Sequence, residues 1–334
     1  MATTRARGAS KAPAKPAGLN RFPGLSAKAY EHPGDRAATK ALGAIPGLDK
    51  VVRQLVELGY ERAMFQTNLA GSIRLGPAQL PDIWGEWTAV TDSLDLGEPT
   101  PLYVAQDPQA NAYAIGSKNP YAVLTSRLVE LVAPDERVAV LAHEAGHLRS
   151  DHTLYRTALQ ILLMIGNTAV PLAGIPLTAI RMALMEWFRA AEFTCDRAAA
   201  LVTGDPTLVC RTLMVLGGGL PSSQLDVNAF LVQVAQYEEW EDGPDRLRRF
   251  LSQLRLTHAM PVRRAGELTQ WVTGGDYDRI VRGDYITRDR EPSVSEVSAD
   301  AVAHYSERFR AIFESAGESV ATMGRRFAQW VRGE

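Results

Sequence analysis

From Leu48 onward, apolar residues recur at three- and four-residue steps, at Val51, Val52, Leu55, Val56 and Leu58, with charged residues between them. That spacing predicts a helix. A second helix is expected after Pro77, carrying Ile83, Trp84 and Trp87. The period then drops to two over Leu102–Ala105, Asn111–Ile115 and Tyr121–Thr125, separated by Asp-Pro, Gly-Ser and Asn-Pro punctuation. These runs predict short strands of one small sheet. Beyond Ser126 the periodic segments read as helix. One starts at Pro134, where Asp135 and Glu136 complement the dipole of the first turn. Another resumes before Glu186 and stops at Gly204, Asp205 and Pro206, and further helices are expected over 206–216, 226–238, 245–255 and 262–272. From Ser298 to Val331, Val302, Tyr305, Phe309, Ile312 and Phe313 form an amphipathic stripe suited to docking. Strands and helices are segregated along the chain, so the fold class is α+β, predominantly α.

Between Arg156 and Arg181 lie 24 residues without a charge, enough on count alone to cross a bilayer. Asn167, two prolines and two glycines interrupt the run, and Pro171 and Pro176 would break a helix in its middle. A buried helical hairpin is the preferred reading, with membrane contact through 157–180 as the alternative. Residues 1–30 hold six basic and no acidic side chains among Ala, Pro, Gly and Ser. We read residues 1–47 as a disordered basic tail. Residues 31–334 then carry -8 within a chain total of -2, so no field over the whole molecule attracts nucleic acid, and no nucleic-acid partner is expected. With 334 residues, 46% of them hydrophobic, the chain is neither disordered nor fibrous. Cys195 and Cys210 cannot build a disulfide framework, which points to a reducing compartment. The first 30 residues lack an apolar signal run, so the expected location is cytoplasmic, with membrane association open.

The chemistry is carried by His143-Glu144-Ala145-Gly146-His147 inside the helix that starts at Pro134. A four-residue step puts both imidazoles on one helical face, where two neutral nitrogens can bind one zinc ion while Glu144 stands beside it as a base. A third protein ligand is needed. Ser150 and Thr153 occupy the positions where a metzincin would have glycine and histidine, and His152 is out of register, so it reads as a solvated or capping residue. Glu192 lies 45 residues after His147, with Asp196 one turn further on. Like charges at i and i+4 destabilise an isolated helix, so a cation should offset them. Zinc on Glu192, with Asp196 accepting the far N–H of a ligand imidazole, accounts for both carboxylates. An exposed pair answered by Arg189 and Arg197 is the alternative.

These residues resemble the HtpX-type and CAAX-prenyl-protease-type zinc metallopeptidases of the gluzincins, which pair H-E-x-x-H with a downstream E-x-x-x-D. Leu102–Ala105 followed by Asn111–Gly116 is similar to the family's edge strand, and Val123–Leu128 resembles the segment that leads to its metal helix. Thr257-His258 and Arg264 resemble its Thr-His-Pro motif and the Arg six residues after that His, with Ala259 in place of the proline. The resemblance implies a small mixed sheet with its edge strand packed on a two-helix zinc-binding core, and a zinc-dependent metalloendopeptidase acting on proteins or peptides. It assigns one zinc to His143, His147 and Glu192, the general base to Glu144, and support behind the ligands to Asp196. His258 and Arg264 become catalytic candidates for oxyanion or cleft-wall roles, and Asn111, Ala112, Tyr113, Ala114 and Ile115 would align an extended substrate. Residues 48–275 would form the peptidase domain and 276–334 a C-terminal amphipathic helical extension. The competing reading keeps the zinc site in a proteolytically silent binding or chaperone-like protein, although structural zinc sites are usually closed and Cys-rich.

Overall fold

The computed structural model describes residues 18–165, 177–239, 260–291, 299–315 and 325. The described elements are α1 (Pro33–Gly43), α2 (Leu48–Leu55), α3 (Glu61–Gly71), β1 (Ser72–Arg74), α4 (Pro81–Ser93), β2 (Leu102–Ala105), β3 (Ala112–Ile115) and β4 (Tyr121–Thr125). They continue with α5 (Ser126–Leu131), α6 (Pro134–Arg149), α7 (Thr153–Ile165), α8 (Leu177–Thr203), α9 (Pro206–Gly218), α10 (Val227–Glu239), α11 (Pro261–Thr273), α12 (Asp276–Val281) and α13 (Ala299–Ser315). The fold is α+β and mostly helical, as the periodicity predicts.

The sheet is mixed, in the order β1-β2-β4-β3, with β2 and β4 parallel and the outer pairs antiparallel. All three predicted strands are present. β1 was not predicted, because three residues are too few to show a period. Alternation along the strands sorts their side chains. Leu102, Ala112, Ala114, Ala122 and Leu124 enter the principal core with α4, α6, α9 and α11, whereas Tyr103, Ile115, Tyr121 and Val123 form a smaller cluster on the other face, next to Phe65. β3 is an edge strand bonded only to β4 within the sheet.

A second core gathers α1, α2, α7, α13 and the first half of α8. Its α8 members run from Ala179 to Ala191, while Ala198–Val202 of the same helix belong to the principal core. Glu192 and Asp196 therefore sit on the seam between the two cores. Helix α6 begins as predicted, with Glu136 reaching back to accept the Ala133 N–H at 2.8 Å, and its middle is buried on every side. Gly146 permits the closest approach of α6 to α8, since a Cβ there would stand 2.9 Å from Ala198 Cβ and 3.2 Å from Cys195 Cα.

One expectation changes. Residues 18–47 are not a disordered tail: Phe22, Leu25 and Tyr30 are buried in the principal core, and Ala38, Leu42 and Ile45 in the second. Their few apolar residues are widely spaced among small and basic ones, and composition alone hid that. In the charge-free run, Ala158, Leu159, Ile161 and Leu162 of α7 are buried in one core with Ile180, Ala183 and Leu184 of α8, whereas residues 166–176 lie outside the described residues. Among the described residues no helix is long and apolar enough to cross a membrane. The stripe of α13 docks as expected, with Phe309, Ile312 and Phe313 buried. The helix expected over 245–255 lies outside the described residues.

Candidate metal centre

Helices α6 and α8 cross so that one oxygen of Glu192 faces both imidazoles of the H-E-x-x-H segment. Oε1 lies 3.2 Å from His147 Nε2 and 3.6 Å from His143 Nε2. Donors bound at about 2.0–2.2 Å around a tetrahedral zinc stand roughly 3.3 Å apart, so both separations from Glu192 Oε1 suit such an ion. Cys195 Sγ also falls within 4.8 Å of nitrogens of His143 and His147. It sits 3.7 Å from His152 Nδ1, and burial pushes its thiol well above the ordinary range, so the thiolate needed of a ligand is disfavoured.

The remaining polar atoms of these residues are held from behind. His143 Nδ1 lies 3.0 Å from Asp196 Oδ1 and 3.1 Å from Arg264 Nη2; the Asp196 contact is the one an imidazole makes when its Nε2 lone pair is free for a metal. Arg264 of α11 ties the two carboxylates together: its Nε donates to Asp196 Oδ2 at 2.7 Å, its Nη2 to Asp196 Oδ1 at 2.5 Å, and its Nη1 to Glu192 Oε2 at 2.8 Å. This is the cation that the i, i+4 carboxylates called for. All three guanidinium nitrogens are thus engaged by carboxylates, while Arg264 also lines the cleft, the wall position expected of it. The alternative of an exposed pair fails: Glu192 and Asp196 are buried, Arg189 pairs with Glu186, and Arg197 donates to the Tyr30 carbonyl and covers the Trp271 ring.

Electrostatics follow from this arrangement. Burial and the Arg264 charge oppose protonation of His143, but Glu192 and Asp196 outweigh them and its pKa is raised to about 9. His147, buried and next to Arg156, is held well below the ordinary imidazole range. Burial would raise the Asp196 carboxyl, yet Arg264 and His143 bring it below the usual value.

Glu144 lines the cleft with His143, Glu192, Asp196 and Arg264, and its Oε2 accepts a hydrogen bond from Arg156 Nη1 at 2.8 Å. The guanidinium of Arg156 lies 5.2 Å from the centre of the Phe188 ring, and Phe188 in turn stacks on His147. The cleft has a volume of about 540 Å³, and its walls include Asn111 and Ala112 at the start of the edge strand together with Leu128, Val140, Val209, Leu213 and Met260. Tyr113, Ala114 and Ile115 continue along β3 beyond those lining residues. His258 lies outside the described residues.

Two functional candidates escaped the sequence reading. Arg156 carries no motif signal. His152, expected to be solvated or capping, is buried and stands between His147 Nδ1 at 3.1 Å and Asp35 Oδ2 at 2.9 Å.

The sequence model of peptidase family M48 matches residues 81–272. The chain is 37% identical over 266 residues to the plastoglobule-localized metallopeptidase 48 of Arabidopsis thaliana, described as chloroplastic, a match covering 78% of this chain and 77% of that protein. A protease HtpX homolog of Acidiphilium cryptum is 33% identical over 147 residues, or 35% of this chain and 50% of the relative. One from Ralstonia pickettii is 26% identical over 209 residues, covering 54% and 71%. No solved structure matches the chain.

Proposed function

The chain belongs to peptidase family M48 and is a metallopeptidase, and we propose that it is an endopeptidase using one zinc ion held by His143 Nε2, His147 Nε2 and Glu192 Oε1. One observation carries this reading: Glu192 Oε1 lies 3.2 and 3.6 Å from the two Nε2 atoms, and His143, Glu144 and Glu192 line one cleft. Zinc held there would polarise a peptide carbonyl and bring the ionisation of water near neutral pH. Glu144 takes the water proton and passes it to the departing amine. Arg156 holds Glu144 Oε2 and leaves Oε1 for the proton. Arg264 neutralises the spare oxygen of Glu192, so a single oxygen is presented to the ion, and Asp196 keeps the proton of His143 on Nδ1.

Asn111 to Ile115 would receive an extended substrate backbone along the edge of β3 that no described strand pairs. The aliphatic walls beyond it favour a large apolar side chain next to the scissile bond. We assign the machinery to residues 48–275, braced by 18–47 and by α13, and retain cytoplasmic placement as part of the proposal. The chloroplast location of the Arabidopsis relative belongs to that protein. The test is zinc analysis combined with digestion of unfolded casein. One ion per chain and chelator-sensitive cleavage are expected, with the ion lost in His143→Ala and Glu192→Gln. Intact casein in the presence of bound zinc would overturn the peptidase assignment, and a full ion in both variants would overturn the ligand set.

A further inference from the structure

His147 and His152 face each other through their Nδ1 atoms, 3.1 Å apart. Of two nitrogens in such a contact, one must carry the proton and the other must accept it. If His147 gives the Nε2 lone pair to a metal, its own proton stands on Nδ1, and His152 Nδ1 must be the acceptor. The proton of His152 is then on Nε2, and that atom lies 2.9 Å from Asp35 Oδ2. Reversing the pair would turn a bare His152 Nε2 lone pair toward a carboxylate and put a proton on His147 Nε2, where the metal belongs.

The surroundings hold this order in place. Asp35 is fully buried, and the same Oδ2 accepts the Thr194 hydroxyl at 2.6 Å, which in turn accepts the His32 N–H at 3.0 Å. Asp151 adopts a left-handed backbone, φ 54°, in the turn that brings His152 back beside α6, a conformation that costs a non-glycine residue on the order of 1 kcal/mol. Trp187 packs edge-on against the His152 ring at 5.5 Å. Asp35 itself comes from α1, outside the 81–272 segment matched by the family.

We infer that Asp35 and His152 are positioning residues, a two-step relay from α1 that fixes the tautomer of His147 and turns its Nε2 toward the metal. The inference rests on the reading of His147 as a ligand and adds to it a role for the N-terminal segment. Partners of this kind behind metal-bound histidines typically contribute 10- to 100-fold in affinity.

Zinc affinity of the full chain, measured by competition with a chromophoric chelator, tests it. Asp35→Asn and His152→Phe should weaken zinc binding by about 10- to 100-fold. Leu42→Ala loosens the docking of the same helix without touching the relay, and its zinc affinity should stay within about threefold of the unmutated chain, below the range expected of a relay partner. In the unmutated zinc-loaded protein with nitrogen-15 histidine, NMR should find the His147 proton on Nδ1 and the His152 proton on Nε2 alone, a measurement independent of how the variants fold. Unchanged affinity in both relay variants, equal weakening by Leu42→Ala, or a proton on His152 Nδ1 would overturn the relay while leaving the metal centre intact. An unmutated chain that binds no zinc would overturn both.

Discussion

Replacing Glu144 by Gln removes a base and, in the same step, the negative partner of a buried arginine. On the chemical side, a positioned general base contributes roughly 10²–10⁴-fold to rate. Hydrolysis should fall by that factor, about 3–5 kcal/mol of transition-state stabilisation, with zinc still bound because Glu144 is not a ligand. On the structural side, Arg156 keeps an acceptor, since a Gln oxygen can occupy the position of Oε2 at the end of the 2.8 Å bond. What disappears is the charge. Breaking a buried ion pair outright costs about 3–5 kcal/mol, but the retained hydrogen bond and the Phe188 ring beside the guanidinium reduce that to about 1–3 kcal/mol. The double variant Glu144→Gln/Arg156→Met removes the orphaned charge and should be more stable than Glu144→Gln alone. Hydrolysis of a fluorogenic peptide at verified zinc occupancy measures the first effect, and urea unfolding of the metal-free chains measures the second. More than about a tenth of the activity in zinc-loaded Glu144→Gln, far above what loss of a base leaves, would refute the base assignment. Equal stability of all three chains would refute the buried pair.

Gly146→Ala should cost about 1–3 kcal/mol and weaken zinc binding, because the new methyl meets Ala198 Cβ at 2.9 Å and forces α6 away from α8; unfolding curves and chelator competition check both effects. Phe313→Ala should cost about 3–5 kcal/mol, since that ring is fully buried in the second core, and a melting temperature unchanged from the parent would show that α13 is not part of the folded unit. Burial acts to raise the Glu267 carboxyl, but His32 and Arg263 bring it below the usual value. A depressed carboxylate stabilises the fold above its unfolded pKa of about 4.3 and loses that contribution as pH falls through the native value. Glu267→Gln should therefore flatten the acid limb of stability against pH below about 5, which urea titrations at stepped pH would reveal.

What the sequence disclosed, and what it withheld, divides along the distance over which each interaction is set. Strand alternation and helical spacing are local, and they located β2, β3, β4, α6 and the middle of α8. The repulsion between Glu192 and Asp196 is local as well: two carboxylates one turn apart require a cation wherever the helix is buried, and that requirement could be stated without a fold. Which cation meets it is not local. Zinc chemistry and Arg264 are both legible in the sequence, yet only the packing of α11 against α8 reveals that the guanidinium at the cleft wall also spans both carboxylates. The Asp35–His152 contact closes over 117 residues, and neither side chain carries a pattern pointing to the other. As a metal ligand His152 is out of register. Its position five residues after His147, past a left-handed Asp151, suits a residue that supports a ligand from behind. The basic N-terminal composition concealed its partner, since α1 buries alanines and a leucine, which register weakly as a hydrophobic stripe. A charge count describes a segment's solvation and cannot say whether one buried aspartate within it completes a site more than a hundred residues away.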